Sequence, residues 1–173
     1  MNTLLNILTR RSVRAYRDKA VKREDIETIL KASTWAPSGN NIQPWKFAII
    51  MKNKTLIKKL ASLTIYEQWV KTAPCMIAVF LDSKSMKNIE TEKPYTKHVQ
   101  AIGAAIQNIL LAAHELDLGT CWIGEILKNE EKVKTLLNVS ADMKFMALIT
   151  VGYPKTISKG KRNDVSNSIL SWQ

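Results

Sequence analysis

The chain has 173 residues, 46% hydrophobic and 24% charged, with 6 glycines and 5 prolines; this fits about one domain of ordinary globular composition and excludes disordered, collagen-like and linker-rich chains. Two cysteines, Cys75 and Cys121, are too few for a disulfide-scaffolded module and form no C-x-x-C pair, and with only His98 and His114 beside them no metal site is expected. Against 15 acidic residues stand 26 basic ones, a net charge of +11 that favours an anionic partner: nucleic acid, a membrane surface or a phosphorylated cofactor.

Residues Met1 to Arg17 hold no acid, four arginines and the amphipathic run Leu4, Leu5, Ile7, Leu8, a composition that resembles a mitochondrial transit peptide. The alternative is a first helix over about Asn2–Thr9 whose end delivers Arg10 to Arg14 to an anion. The lack of a cleavage-like break favours the helix. A second helix over Arg23–Ser33 places Ile26, Ile29 and Leu30 on one face. Ala36 to Pro44 is dense in turn formers and reads as a loop. Strand Trp45–Ile50, a short helix from Lys54 to Leu63, and the continuous apolar run Cys75–Leu81 follow, the last suited to a strand buried on both faces.

Lys97 to Leu116 carries the strongest helical pattern, Ile102, Ala105, Ile106, Ile109, Leu110, Ala113 and Leu116, with Gly119 as its expected stop. Its opposite side, with Ala101, Ala104, Leu111 and Ala112, is almost uncharged, so a second subunit is expected to cover it. A short strand Thr120–Ile123, a helix Glu130–Leu137 and a last strand Phe145–Val151 complete the order. Helices and strands are interspersed without a repeat, which gives an α+β or mixed α/β class in a single domain over residues 1–173. The uncharged stretch Val99–Ala113 is too short, and too rich in Gln100, Gln107 and Asn108, to span a bilayer, so a cytoplasmic protein without a membrane partner is expected.

The standard catalytic constellations are missing: no G-x-G-x-x-G, P-loop, G-x-S-x-G or H-E-x-x-H occurs. Cys75 and Cys121 lie in apolar segments and read as packed thiols rather than nucleophiles. His114 reads as a partly exposed side chain at a helix end, and Glu24, Asp25, Glu130 and Glu131 as solvated helix starts. Basic residues gather at the two ends, from Arg10 to Arg23 and from Lys155 to Arg162, but only Tyr16 interleaves with the first group, which disfavours a nucleic-acid partner. With no reactive side chain in evidence, the chemistry points to a borrowed cofactor.

Three segments carry a specific likeness: Arg10-Arg11-Ser12-Val13-Arg14-Ala15-Tyr16, Ala36-Pro37-Ser38-Gly39-Asn40-Asn41-Ile42-Gln43-Pro44-Trp45, and Gly119-Thr120-Cys121-Trp122-Ile123-Gly124, followed by Val151-Gly152-Tyr153-Pro154. In this order they resemble the FMN-dependent nitroreductase family, from about Leu4 to Trp172. The resemblance implies a three-layer dimeric fold with a central mixed sheet flanked by helices. It also implies that Arg10 and Ser12, with the Arg11 backbone, hold the FMN phosphate and ribityl end. Arginine offers a planar fork of donors and serine a compact hydroxyl, which suits them to that role. Arg14 would reach the pyrimidine edge of the flavin, where a cation favours the reduced ring.

By the same resemblance Pro37, Ser38, Gly39 and Asn41 contact the FMN held mainly by the other subunit of a homodimer, and the backbone of Ile123 or Gly124 faces the ring. Trp45 and Trp122 read as packing aromatics, and Tyr66-Glu67-Gln68-Trp69 matches poorly where relatives supply a flavin contact. Arg162, then Lys161, with Lys159 nearby, fall where the family places its last phosphate cations. The polar stretch between Leu81 and Lys97, with Lys84, Lys87, Glu90, Glu92 and Lys93, is compact where longer relatives cover the flavin. Ser171 stands before Trp172 where relatives often carry histidine, so a short C-terminal arm is expected. The activity implied is ping-pong hydride transfer from NADH or NADPH, through FMN, to a small-molecule acceptor such as a nitroaromatic, quinone or flavin, with no catalytic side chain required. Dehalogenation, enoate reduction, flavin fragmentation or a non-catalytic flavin carrier are the alternatives on the same fold.

Overall fold

A computed structural model describes residues 2–86 and 92–173. Ten regular elements follow one another: α1 (Thr3–Thr9), α2 (Arg23–Ser33), β1 (Trp45–Ile50), α3 (Lys54–Ala61), α4 (Glu67–Val70), β2 (Cys75–Asp82), α5 (Glu92–Glu115), β3 (Gly119–Ile123), α6 (Glu130–Leu137) and β4 (Met143–Gly152). The strands form one sheet in the order β1-β2-β4-β3. All three pairings are antiparallel, and the parallel component of the expected mixed sheet is confined to one bridge, Ser12 to Thr120, on the outer flank of β3.

Residue alternation along β2 divides the core into two layers. Cys75, Ile77, Val79 and Leu81 face α2 and α5, packing with Ile26, Ile29, Ile102, Ile106 and Ile109. Met76, Ala78 and Phe80 face α3 and α6, packing with Ile57, Leu60 and Val133. Both faces of the strand are therefore covered, which is why its sequence shows no polar alternation. Between Val79 and Phe80 the register with β4 slips by one residue, absorbing Met146. Trp45 is buried at the start of β1, as a packing anchor should be.

Helix α5 begins earlier than its apolar pattern, taking in Pro94 within its first turn, where a missing N–H removes no intrahelical bond. Its end is set by Asp117 in left-handed backbone, φ 57°, with Leu118 N–H bonded to Ala113 O at 2.9 Å, and not by Gly119, which lies inside β3. Asp can take this conformation through its short polar side chain, so the helix stops two residues ahead of the expected glycine. Part of the uncharged side of α5 is covered within the chain: Ala101 is buried, and Asn108 Nδ2 donates to Ala32 O of α2 at 3.1 Å. Gly103, Ala104, Leu111 and Ala112 remain only half-buried. The expectations for Lys87 and Glu90 lie outside the described residues. Among the described residues no helix is long and apolar enough to cross a membrane.

Candidate functional site

Residues 10–17 run as an extended segment along the sheet margin where β3 begins and β4 ends. Val13 N–H donates to Thr120 O at 2.8 Å, Arg17 N–H to Tyr153 O at 2.9 Å, and Lys155 N–H to Ala15 O at 2.9 Å. Tyr16 is the peg that fastens it: its ring is buried, its hydroxyl donates to Val13 O at 2.8 Å and meets Thr150 Oγ1 at 2.7 Å. Burial, Thr150 notwithstanding, pushes this phenol well above its ordinary range, so it stays neutral. The arginines cannot drift because the backbone between them is stitched to two strands.

The cationic side chains of the segment gather at one place. Arg10 is half-buried, and burial, then the charge of Arg162, then that of Arg11, hold its guanidinium below its ordinary pKa. Arg162, from near the end of the chain, acts on it, its Nη1 donating to Lys161 O at 3.2 Å. Arg11 is braced by Leu8 O at 2.7 Å and Arg10 O at 2.9 Å, and Gly160 packs on it so closely that a Cβ there would lie 2.6 Å from Arg11 Nε. Beside Arg10 and Arg11 opens a cavity of about 260 Å³, lined also by Arg17, His114, Asp117 and Thr120 among others; Ser12, Arg14 and Arg162 lie outside its lining. Arg10, on which the charges of Arg162 and Arg11 both act, offers a site for a compact anion, which would relieve that repulsion.

Ser12 and Arg14 stand on the same flank. Ser12 bridges to Thr120 and lies against the Cys121 thiol, which also feels the charge of Arg14. Burial nonetheless raises both thiols, Cys75 to about 12, and no histidine is among the groups acting on either. They are packed thiols, not nucleophiles. Beyond Cys121, Ile123 is buried and anchors β3 in the α6 layer, whereas Trp122 is 43% exposed. That corrects the expectation of a core aromatic: Trp122, paired with Ile149 on the α2/α5 side, stands on an edge strand of the sheet, where its cover gives out. Gly124 is exposed, and a Cβ on it would meet nothing within 4 Å, which leaves an open approach next to the Arg14 flank.

The loop from Pro37 to Pro44 lies elsewhere. Ser38 Oγ accepts from Gln43 N–H at 3.0 Å and Ser38 O from Asn41 N–H at 2.9 Å, and Asn40, Asn41 and Gln43 all hold left-handed backbone, φ 53–56°. Gly39 rests on Lys97, near the start of α5; a Cβ there would lie 2.8 Å from Lys97 Cδ. The arginine segment adjoins the far end of α5, where Thr9 meets His114. Seventeen residues of helix put these contacts about 25 Å apart. The sheet agrees: the start of β1 and the Ser12 bridge occupy opposite edges and opposite ends, about 30 Å apart by strand spacing and rise.

Within one chain the structure therefore joins Arg10, Arg11, Ser12, Arg14, Arg162, Ile123 and Gly124 along one margin and separates Pro37, Ser38, Gly39 and Asn41 from them. Lys161 and Lys159 are exposed beside Arg162, and Gln68 is exposed and accepts from Lys71 Nζ at 3.0 Å. Of the acids read as solvated helix starts, Glu130 is corrected: half-buried, it accepts from Phe145 N–H at 3.0 Å and pairs with Lys144 at 3.0 Å. Sequence reasoning missed Tyr16 as a fastener and the Thr9–His114 pair, both of which depend on contacts across more than a hundred residues. Among the described residues no cluster of three or more His, Cys, Asp or Glu could hold a metal ion.

The sequence profile of the nitroreductase family matches residues 7–71 and 61–153. A provisionally named NADH dehydrogenase/NAD(P)H nitroreductase of Archaeoglobus fulgidus is 39% identical over 152 residues, 86% of this chain and 83% of its own. Its namesake in Methanothermobacter thermautotrophicus is 36% identical over 89% of this chain and 78% of its own. Among solved structures, a provisionally named nitroreductase of Desulfovibrio desulfuricans in complex with FMN superposes with a TM-score of 0.90 at 38% identity, covering 100% of this chain and 98% of that one.

Proposed function

The chain belongs to the nitroreductase family, and from that premise we propose that it is an FMN-dependent oxidoreductase that uses NADH or NADPH to reduce a small organic acceptor. The observation that carries this reading is the half-buried Arg10 with Arg11 beside it and Arg162 acting on it, a concentration of positive charge that a phosphate would relieve. The similar Desulfovibrio protein is described as a complex with FMN, and the archaeal relatives carry NAD(P)H reductase names. When bound, FMN supplies the two-electron chemistry, taking hydride from the nicotinamide and releasing it to a nitroaromatic, quinone or free flavin by a ping-pong scheme.

The chain's own residues bind and orient. Arg10, Arg11 and Arg162, with Lys161 at the rim, hold the phosphate, and Ser12 holds the adjoining polyol. Arg14 sets a fixed positive charge along the flank of β3, which favours an anionic reduced ring. Ile123, buried, fixes the strand, and Gly124 keeps the approach to it free of a side chain. No proton donor is needed from the protein, because water can supply protons to the product.

Pro37, Ser38, Gly39 and Asn41 act on the FMN of a second copy, which supports a homodimer with sites shared between subunits. The loop and the arginine segment contact α5 at points about 25 Å apart by helix rise, which favours a second copy as the loop's partner. The reading takes residues 1–173 as one domain working in the cytoplasm, with no nucleic-acid or membrane partner. The test is the visible spectrum of purified protein reconstituted with FMN, before and after anaerobic addition of NADH or NADPH. A protein-bound flavin spectrum that bleaches supports the proposal. Bound flavin that stays oxidised points to a carrier, and absence of binding overturns the reading.

A further inference from the structure

The cavity at the arginine cluster contains one group that changes charge near neutrality. His114, in the last turn of α5, lines it together with Arg10 and Arg11. Its orientation is set by a chain of hydrogen bonds from α1. The Thr9 hydroxyl lies 2.6 Å from Leu5 O and 3.0 Å from His114 Nε2; when its proton is on Leu5 O, its oxygen accepts from Nε2. In that tautomer Nε2 carries the proton and Nδ1 is the site where a second proton can enter.

Resting on the FMN reading above, we propose that His114 is the pH-sensitive member of the phosphate site, taking a proton from solvent onto Nδ1 as the FMN phosphate binds. Without an anion, a charged His114 would share the cavity with Arg10, Arg11 and Arg17, while the opposing acids are Asp117 on the lining and Glu115, whose carboxylate engages Asn6 Nδ2 at 3.1 Å. Neither β3 nor α1 adds a charge at this wall: they contribute Gly119, Thr120 and Thr9. Burial and the two arginines keep the free imidazole below its ordinary pKa. A phosphate dianion reverses the local sign, so the same imidazole becomes a further cation of the site. The consequence is proton-linked cofactor affinity: tighter binding as pH falls from 8.0 to 6.5.

Calorimetric titration of the cofactor-free protein with FMN at pH 7.5, in two buffers of different ionisation enthalpy, counts the protons taken up. Wild type is expected to take up more protons than His114→Gln, which keeps an N–H donor for Thr9 but cannot ionise. From pH 8.0 to 6.5 wild-type affinity is expected to gain threefold or more over the variant, with a ceiling of about tenfold per unit of pKa rise. Protonation of the FMN phosphate itself, near pH 6, is common to both proteins and cancels in the comparison. Riboflavin, which lacks the phosphate, should show no such difference. The His114 imidazole resonance of the wild-type protein should titrate at higher pH with FMN than without, a check that needs no variant. Equal proton counts and equal pH slopes, or the same difference with riboflavin, overturn the inference while leaving the FMN reading intact. Absence of FMN binding to the wild type overturns both.

Discussion

Gly119 and Val13 touch so closely that a Cβ on Gly119 would lie 2.6 Å from Val13 Cγ2. This glycine is needed for close approach and not for its backbone angles, since no glycine in the structure has positive φ. Gly119→Ala should push the arginine segment off β3, lowering stability by about 1–3 kcal/mol, the usual cost of overpacking. The same change should weaken FMN binding, because Ser12 and Val13 hang on Thr120. Thermal unfolding and flavin titration of the variant check both effects.

Arg10→Ala should separate binding from folding. Arg10 sits among like charges, so the cofactor-free variant is expected to melt no lower than wild type. Its FMN affinity should fall at least tenfold, since a hydrogen bond to a charged group is worth about 1.5–3 kcal/mol. Unchanged affinity would remove Arg10 from the phosphate site.

Ser38→Trp should block the flavin of the other subunit without touching the arginines. Neither Arg10→Ala nor Ser38→Trp homodimers should load FMN fully. Dimers reassembled from a mixture of the two should regain one intact site per heterodimer, with Arg10 supplied by one subunit and Ser38 by the other. Flavin content after mixing, read by absorbance, decides it: no gain over the unmixed variants would reject sharing.

Alkaline pH should destabilise the fold through Cys75. Burial raises its thiol from an ordinary 9.0 to about 12. Between those values the unfolded chain loses a proton that the folded chain keeps, so this contribution is whole below pH 9 and declines as pH rises. The slope is at most about 1.4 kcal/mol per pH unit. In urea unfolding at pH 8, 9 and 10, the stability difference between wild type and Cys75→Ala should shrink at the higher pH values.

Local patterns were legible where one force dominated. Helix α2, strand β1 and helix α6 fall at the residues read from periodicity and turn formers, because each has a clear apolar face and clear breakers. The start of α5 and the exposure of Trp122 were not legible. The first depends on a proline tolerated in an opening turn, the second on which strand occupies the sheet edge, and that is settled by pairing rather than by local sequence. The arginine segment was legible as chemistry and not as structure: nothing local says that residues 10–17 lie along β3 and β4, or that Gly160 and Arg162 return to meet them. His114 escaped for the same reason, its partner being Thr9.

Three residues with side chains, Asn40, Asn41 and Gln43, hold left-handed backbone within one short loop. For L-residues that handedness costs about 1–2 kcal/mol apiece, so the rest of the fold must impose it before any ligand arrives. At these positions chirality screens the admissible residues ahead of any demand from chemistry: a β-branched side chain is refused for its shape, whatever it could bind. Loss of flavin after such a substitution would therefore be a record of backbone handedness, and only glycine or asparagine replacements can report on what the side chains themselves contribute.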